Sequence, residues 1–147
     1  MKPRWIVCED GDEYLERFRR FLGGEFEFVA AGDLEEVLHA ADGAAGVLLD
    51  LDFRRTHPGR LVDESGAARA QLPDGERARL AEMQGVLILR ALRGRGVRLP
   101  ALLCADLDDP GQVRRLEEEL RPLSIVPGSE SVLQIGARLK SGVPRGP

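Results

Sequence analysis

Lysine is nearly missing from this chain. Of its 21 basic residues only Lys2 and Lys140 are lysines and the rest are arginines. Chemistry that needs an ammonium group must therefore come from one of the two chain ends or be done without. Cysteine is as scarce. Cys8 and Cys104 each sit in an apolar segment, without metal-ligand spacing or the density of a disulfide scaffold, so they read as free thiols in a reducing, cytoplasmic setting. No apolar run approaches the roughly 20 residues that cross a bilayer. The start of the chain does not read as a signal peptide, because the apolar segment ending at Cys8 meets Glu9-Asp10 at once. The formal net charge of −4 leaves no basic surface for nucleic acid.

What is present suits one soluble domain. The 147 residues are 43% hydrophobic and 31% charged, enough to bury a sizeable core. The stretch Gly46-Val47-Leu48-Leu49-Asp50-Leu51-Asp52 organises the rest. Its continuous apolar run reads as a strand buried on both faces, as in the centre of a parallel sheet. Ligands bind such sheets just past the carboxyl ends of the strands. Asp50 at that end is therefore the leading candidate for a reactive or ligating group.

Four other runs read as strands: Arg4 to Cys8, Phe26 to Ala31, Leu99 to Ala105 and Leu123 to Val126. Between them lie helical patterns. Asp12 is placed to cap a helix over 13–22, and Asp33 with Glu36 fits a capping box. Asp74 opens a helix to about Arg93, Pro110 stands near the start of one ending at Leu120, and Ser129 or Ser131 caps the last. Residues 54–73 carry Pro58, Gly59, Gly66 and Pro73 with few apolar residues, an unusually long loop for a compact domain. Alternating strands and helices predict an α/β fold, a doubly wound five-stranded parallel sheet with right-handed crossovers. Residues 1–140 are expected to form one domain with an insertion at about 54–83, followed by a flexible tail over 141–147.

In a sheet ordered 2-1-3-4-5 the first and third strands are central neighbours, so Glu9 and Asp10 would meet Asp50 at one corner. Crowded carboxylates raise one another's pKa unless a cation joins them, and an oxygen-only ligand set suits Mg²⁺.

The chain here resembles the receiver domains of bacterial two-component response regulators. The matching pieces are Ile6-Val7-Cys8-Glu9-Asp10, then 46–52, then Gly85 to Arg93, then Leu99-Pro100-Ala101-Leu102-Leu103. The resemblance implies a flavodoxin-like fold with Asp50 as phosphoacceptor. It also implies Glu9 and Asp10 as Mg²⁺-binding acids and the backbone carbonyl of Asp52 as a further metal ligand. Partners would be proteins, a histidine kinase or a downstream regulator, and a homodimer is compatible. They would meet the face built by the family's fourth helix, fifth strand and fifth helix, together with the insertion.

The departures matter as much. Where the family has Thr or Ser this chain has Ala105, where it has Lys before Pro it has Val126, and where it has a switch aromatic it has Leu123. With lysines only at positions 2 and 140, no register shift restores the ammonium. Arg54, Arg55 or Arg60 is the candidate substitute, although a guanidinium fork is not interchangeable with an ammonium. The pattern fits a degenerate, or pseudo-, receiver that is not an enzyme. Two other readings are a conventional phosphorylated receiver and a haloacid dehalogenase-like phosphatase. In the latter Asp50 would be nucleophile and Asp52 general acid, with Asp106, Asp108 and Asp109 posing as metal acids. His39 and His57 read as surface residues, and Trp5 and the phenylalanines as core.

Overall fold

Five short apolar runs pair in parallel: β1 (Arg4–Cys8), β2 (Glu27–Ala31), β3 (Gly46–Asp50), β4 (Ala101–Cys104) and β5 (Leu123–Val126). Their order across the sheet is β2-β1-β3-β4-β5, as the sequence pattern predicts. The structure, a computed structural model, describes residues 1–69 and 71–141. Most of the expected tail, residues 142–147, therefore lies outside the described residues.

Alternation along each strand divides the core between two faces. Trp5, Val7, Leu48 and Leu102 pack against α1 (Glu13–Leu22) and α6 (Val132–Lys140), through Leu15, Phe18, Ile135 and Leu139. Ile6, Cys8, Val47, Leu49 and Leu103 face the other way. They meet α2 (Leu34–Ala40), α3 (Asp74–Glu82), α4 (Gln84–Gly94) and α5 (Pro110–Glu119). Both thiols are free and buried. Burial pushes the Cys104 thiol up to about 12 and the Cys8 thiol higher still, so both stay protonated. Among the described residues no helix is long and apolar enough to cross a membrane.

Local signals set most helix ends. The Asp33 carboxylate accepts from Glu36 N–H at 2.8 Å, while the Glu36 carboxylate reaches back to Gly32 N–H at 2.7 Å. Ser131, the nearer of the two expected caps, accepts from Gln134 N–H. Pro110 stands at the first turn of α5, where its missing N–H costs nothing.

Three expectations need correction. The helix predicted from Asp74 to Arg93 is two helices, broken where Met83 leaves helical geometry at φ −115° and ψ 13°. The insertion is a packed element rather than an apolar-poor loop. It contains a 3₁₀ turn over Pro58–Arg60 and an antiparallel bridge between Val62 and Ala68, and it buries Phe53, Leu61 and Val62. The buried Gln84 amide pins it, accepting from Val62 N–H and donating to Val62 C=O. Finally, Phe21 is not core; it is 62% exposed.

Packing at the α4 N-terminus bears directly on Asp50. Gly85 donates to Leu51 C=O at 3.0 Å, and a Cβ at Gly85 would stand 2.1 Å from the Asp50 carbonyl oxygen. Only a residue without a side chain lets the helix approach the strand end this closely. Gly85→Ala is expected to cost about 2 kcal/mol, the scale of overpacking, measured by urea unfolding. An unchanged midpoint would show that α4 can shift freely.

Candidate functional site: the acid corner beside Asp50

The register aligns Cys8 with Leu49 across β1 and β3, and Asp50 with Cys104 across β3 and β4. Asp50 thus stands at the carboxyl edge in the centre of the sheet, with the Glu9-Asp10 turn on one side and the ends of β4 and β5 on the other. One Asp50 oxygen accepts from Leu51 N–H at 2.9 Å. Burial pushes the Asp50 carboxyl above its ordinary value; Asp10 and Asp52 add to the rise, while the Leu51 N–H and Arg55 pull it back.

The other acids do different work from one another. Glu9, only 4% exposed, accepts from Tyr14 N–H at 3.1 Å and Leu15 N–H at 2.9 Å. It satisfies the open N-terminus of α1, a task expected of Asp12, whose side chain makes no capping bond. Burial pushes the Glu9 carboxyl up, against these two N–H groups. The Asp52 carboxylate accepts from Arg54 through its backbone N–H, Nε and Nη2. Among the described residues no three His, Cys, Asp or Glu side chains are gathered as a metal would require.

Asp10 has a guanidinium on it. Arg55, from the start of the insertion, donates its backbone N–H to one Asp10 oxygen at 3.0 Å and Nη2 to the other at 2.9 Å. The same Nη2 reaches Glu13 at 2.8 Å. The Asp10 side chain is only 4% exposed. Of the three arginines named as lysine substitutes, Arg54 serves Asp52, Arg60 pairs with Asp33 and Glu36, and Arg55 takes Asp10. None is bonded to Asp50.

On the opposite side the wall is apolar. Ala105 and Val126 are buried, and Ala105 N–H is bound to Val126 C=O at 2.9 Å; Leu123, also buried, pairs with Ala101 at the other end of β4 and β5. Of the acids posed as later metal ligands, Asp106 accepts from Gly128 N–H and Asp109 caps α5 through Gly111 N–H. His39 is exposed beside Glu35, and His57 accepts from Gly59 N–H within its own turn.

No family model matches the sequence, and no curated protein does either. Solved structures do match. The receiver domain of the Francisella response regulator 1452 aligns at TM-score 0.65 and 13% identity, over 95% of each chain. The receiver domain of the putative response regulator NarL from Mycobacterium tuberculosis aligns at 0.63 and 19%, covering 95% of this chain and 94% of that one. A CheX–CheY–BeF3–Mg²⁺ complex from Borrelia burgdorferi aligns at 0.63 and 13%, over 95% and 87%. The fold is that of a response-regulator receiver domain.

One of these similar structures is a complex that contains Mg²⁺, and the donors at this strand edge are of the kind such an ion takes. Asp10 and Asp50 are hard oxygen ligands, near enough that the Asp10 charge raises the Asp50 carboxyl. The fit has one condition, since both Asp10 oxygens are held by Arg55. When bound, the ion would neutralise charge on an incoming phosphoryl group. Folding raises the pKa of two carboxyls at this corner, Glu9 and Asp50. A carboxyl whose pKa is raised by folding costs stability in full above that raised value, and nothing below its unfolded value. Asp50→Asn is therefore expected to gain about 1 kcal/mol at neutral pH, the size of many such site replacements. The gain should fade as pH falls through the folded pKa of Asp50 and vanish below about 3.9, its unfolded value. Thermal unfolding across pH measures this. A gain that persists at low pH would contradict the burial of charge at Asp50.

Proposed function

We propose that this protein is an atypical receiver, a signalling module that acts through protein contact and not as an enzyme. Asp50 is its candidate phosphoacceptor, and a histidine kinase or downstream regulator in the cytoplasm its partner. The observation that carries the reading is the apolar wall facing Asp50. Gripping a phosphoryl group needs a cation and a hydroxyl aimed at its oxygens. The ends of β4 and β5 offer Ala105 and Val126 instead. Leu123 likewise has no polar tip with which to follow a change at Asp50.

Output is proposed to leave through the face of α5, β5 and α6, continuing onto α1. Leu133 on α6 is 80% exposed, Phe21 on α1 is its counterpart, and both line one groove of about 300 Å³. Contiguous exposed apolar side chains of this kind suit a protein partner better than open solvent does. Such contacts do not require Asp50 to be phosphorylated.

The test is intact-mass analysis after incubation with acetyl phosphate and Mg²⁺, with Asp50→Ala beside the wild type. The expected outcome is little or no adduct on folded wild-type protein. A stoichiometric, labile phosphoryl adduct that depends on Asp50 would contradict the reading and make the protein a conventional switch.

A further inference from the structure

We infer that the insertion carries a tethered competitor for the divalent-cation site: the Arg55 guanidinium occupies the acid corner, and a metal ion binds only by expelling it. This rests on the receiver reading and adds to it a means of regulation specific to this chain. The Asp10–Arg55 contact is two-point, from the Arg55 backbone and side chain together, so each Asp10 oxygen already carries one hydrogen bond and the guanidinium charge stands beside the carboxylate an ion would take. The backbone is shaped for the guanidinium. A Cβ at Gly11 would meet the Glu13 carboxylate first and stand 2.6 Å from Arg55 Nη2, so the turn leaves free the space that this ion pair fills. The cation is also held from behind. Phe53, two residues earlier, is fully buried and donates its N–H to Ala81 C=O, and Thr56 N–H returns to Phe53 C=O. Glu13, exposed on the first turn of α1, takes the rest of the charge.

A tethered group at high effective concentration lowers the apparent affinity of a free ligand by the fraction of time the site is open. Opening is feasible because Arg55 is more than half exposed and its pairs are partly screened. A hollow of about 340 Å³ lined by Asp10, Arg55, Thr56 and Arg60 gives a hydrated ion a way in. Divalent-ion binding would then be coupled to release of the segment between Phe53 and Leu61. Metal concentration, and not phosphate alone, would set the shape of the face beside Asp50.

The experiment is titration of the full chain with MgCl₂ by calorimetry, with the Arg55 backbone and Nε–H signals followed by NMR. Arg55→Ala is expected to bind Mg²⁺ about tenfold more tightly than the wild type, the effect of a site closed roughly nine-tenths of the time. Gly11→Ala, which crowds both the guanidinium and its Glu13 partner without removing any charge, should move affinity in the same direction. Asp10→Asn should abolish binding in every background. In the wild type, saturating Mg²⁺ should shift both Arg55 signals. Equal affinity in wild type and Arg55→Ala would overturn the inference, as would Mg²⁺ binding that leaves Arg55 undisturbed. Absence of Mg²⁺ binding in all variants would overturn it too, yet it would leave the interaction-module reading intact, because that reading is decided by the phosphorylation experiment.

Discussion

Phe53→Ala is expected to remove about 4 kcal/mol of stability, the range for deleting a fully buried Phe side chain. Phe53 is the first residue after the Asp52 turn, and its burial agrees with the reading of the phenylalanines as core although the residues that follow it read as loop. It is completely buried, in one cluster with Leu61, Val62, Leu80 and Leu87. Its backbone N–H is bound to Ala81 C=O at 2.9 Å, which ties the start of the insertion to α3. Removing the ring leaves a cavity between the insertion and the sheet, and the transfer and cavity costs add. The second consequence is local. Arg55 is held over Asp10 by the turn that Phe53 anchors, so hydrogen exchange at Arg55 and Thr56 should quicken far more than at β1 or β3. Urea unfolding with exchange by mass spectrometry reads both. A loss below about 1 kcal/mol would mean that the insertion is an accessory the domain does not need, contrary to the burial of its apolar side chains.

Arg93→Met is expected to cost about 3 kcal/mol. Arg93 ends α4 with only 7% of its surface exposed, and it makes no ion pair among the described residues. Its guanidinium donates to three carbonyls instead: Leu120 at 2.9 Å, Val97 at 2.9 Å and Pro122 at 2.8 Å. Burial, with Arg98 adding repulsion, pushes its pKa down to about 10, so the charge is retained at neutral pH. The side chain thus joins the end of α4 to the loop between α5 and β5. Methionine keeps most of the apolar stem but leaves three acceptors without donors, at roughly 1 kcal/mol each or more. Removing the buried charge offsets part of this, and for that reason the estimate is not larger. Equilibrium unfolding decides it. A Met variant as stable as the wild type would show that water can reach those carbonyls.

The two predictions concern residues of different legibility. The sheet and Asp50 could be read from the sequence because a buried parallel strand has a simple signature. Gly46 to Leu49 is continuously apolar, and the acid follows where the strand leaves the core. The missing lysine was as plain, since a chain with lysine at positions 2 and 140 alone has none to place beside β5. What pattern could not show was which partner each charge takes. Glu9 and Asp10 are adjacent and chemically alike, yet one is turned to the N–H groups of α1 and the other to a guanidinium 45 residues away. Arg54, Arg55 and Arg60 were equal candidates in one loop, and the turn after Phe53 distributes them to three different acids. The same limit applies to hydrophobic periodicity. It placed Phe18 and Phe21 on α1 without separating them, although one is fully buried and the other lies open on the groove toward α6. Likewise the apolar stripe ran unbroken through Met83, because the break there comes from α4 docking on Asp50 and Leu51, a tertiary constraint.

The central claim is that Asp50 is uncoupled from the face of α5, β5 and α6. It is tested most directly by comparing backbone amide signals with and without beryllofluoride and excess Mg²⁺. Trp5 would be a poor reporter, since it pairs with Gly46 at the opposite end of β1 and β3 from the acid corner. The expected result is that any shifts stay close to Asp10, Asp50 and Arg55, while Leu123, Val126 and Leu133 remain where they were. Shifts that spread through β5 and into α6 would contradict it, for they would show that an apolar wall can transmit what a hydroxyl and an ammonium were expected to carry.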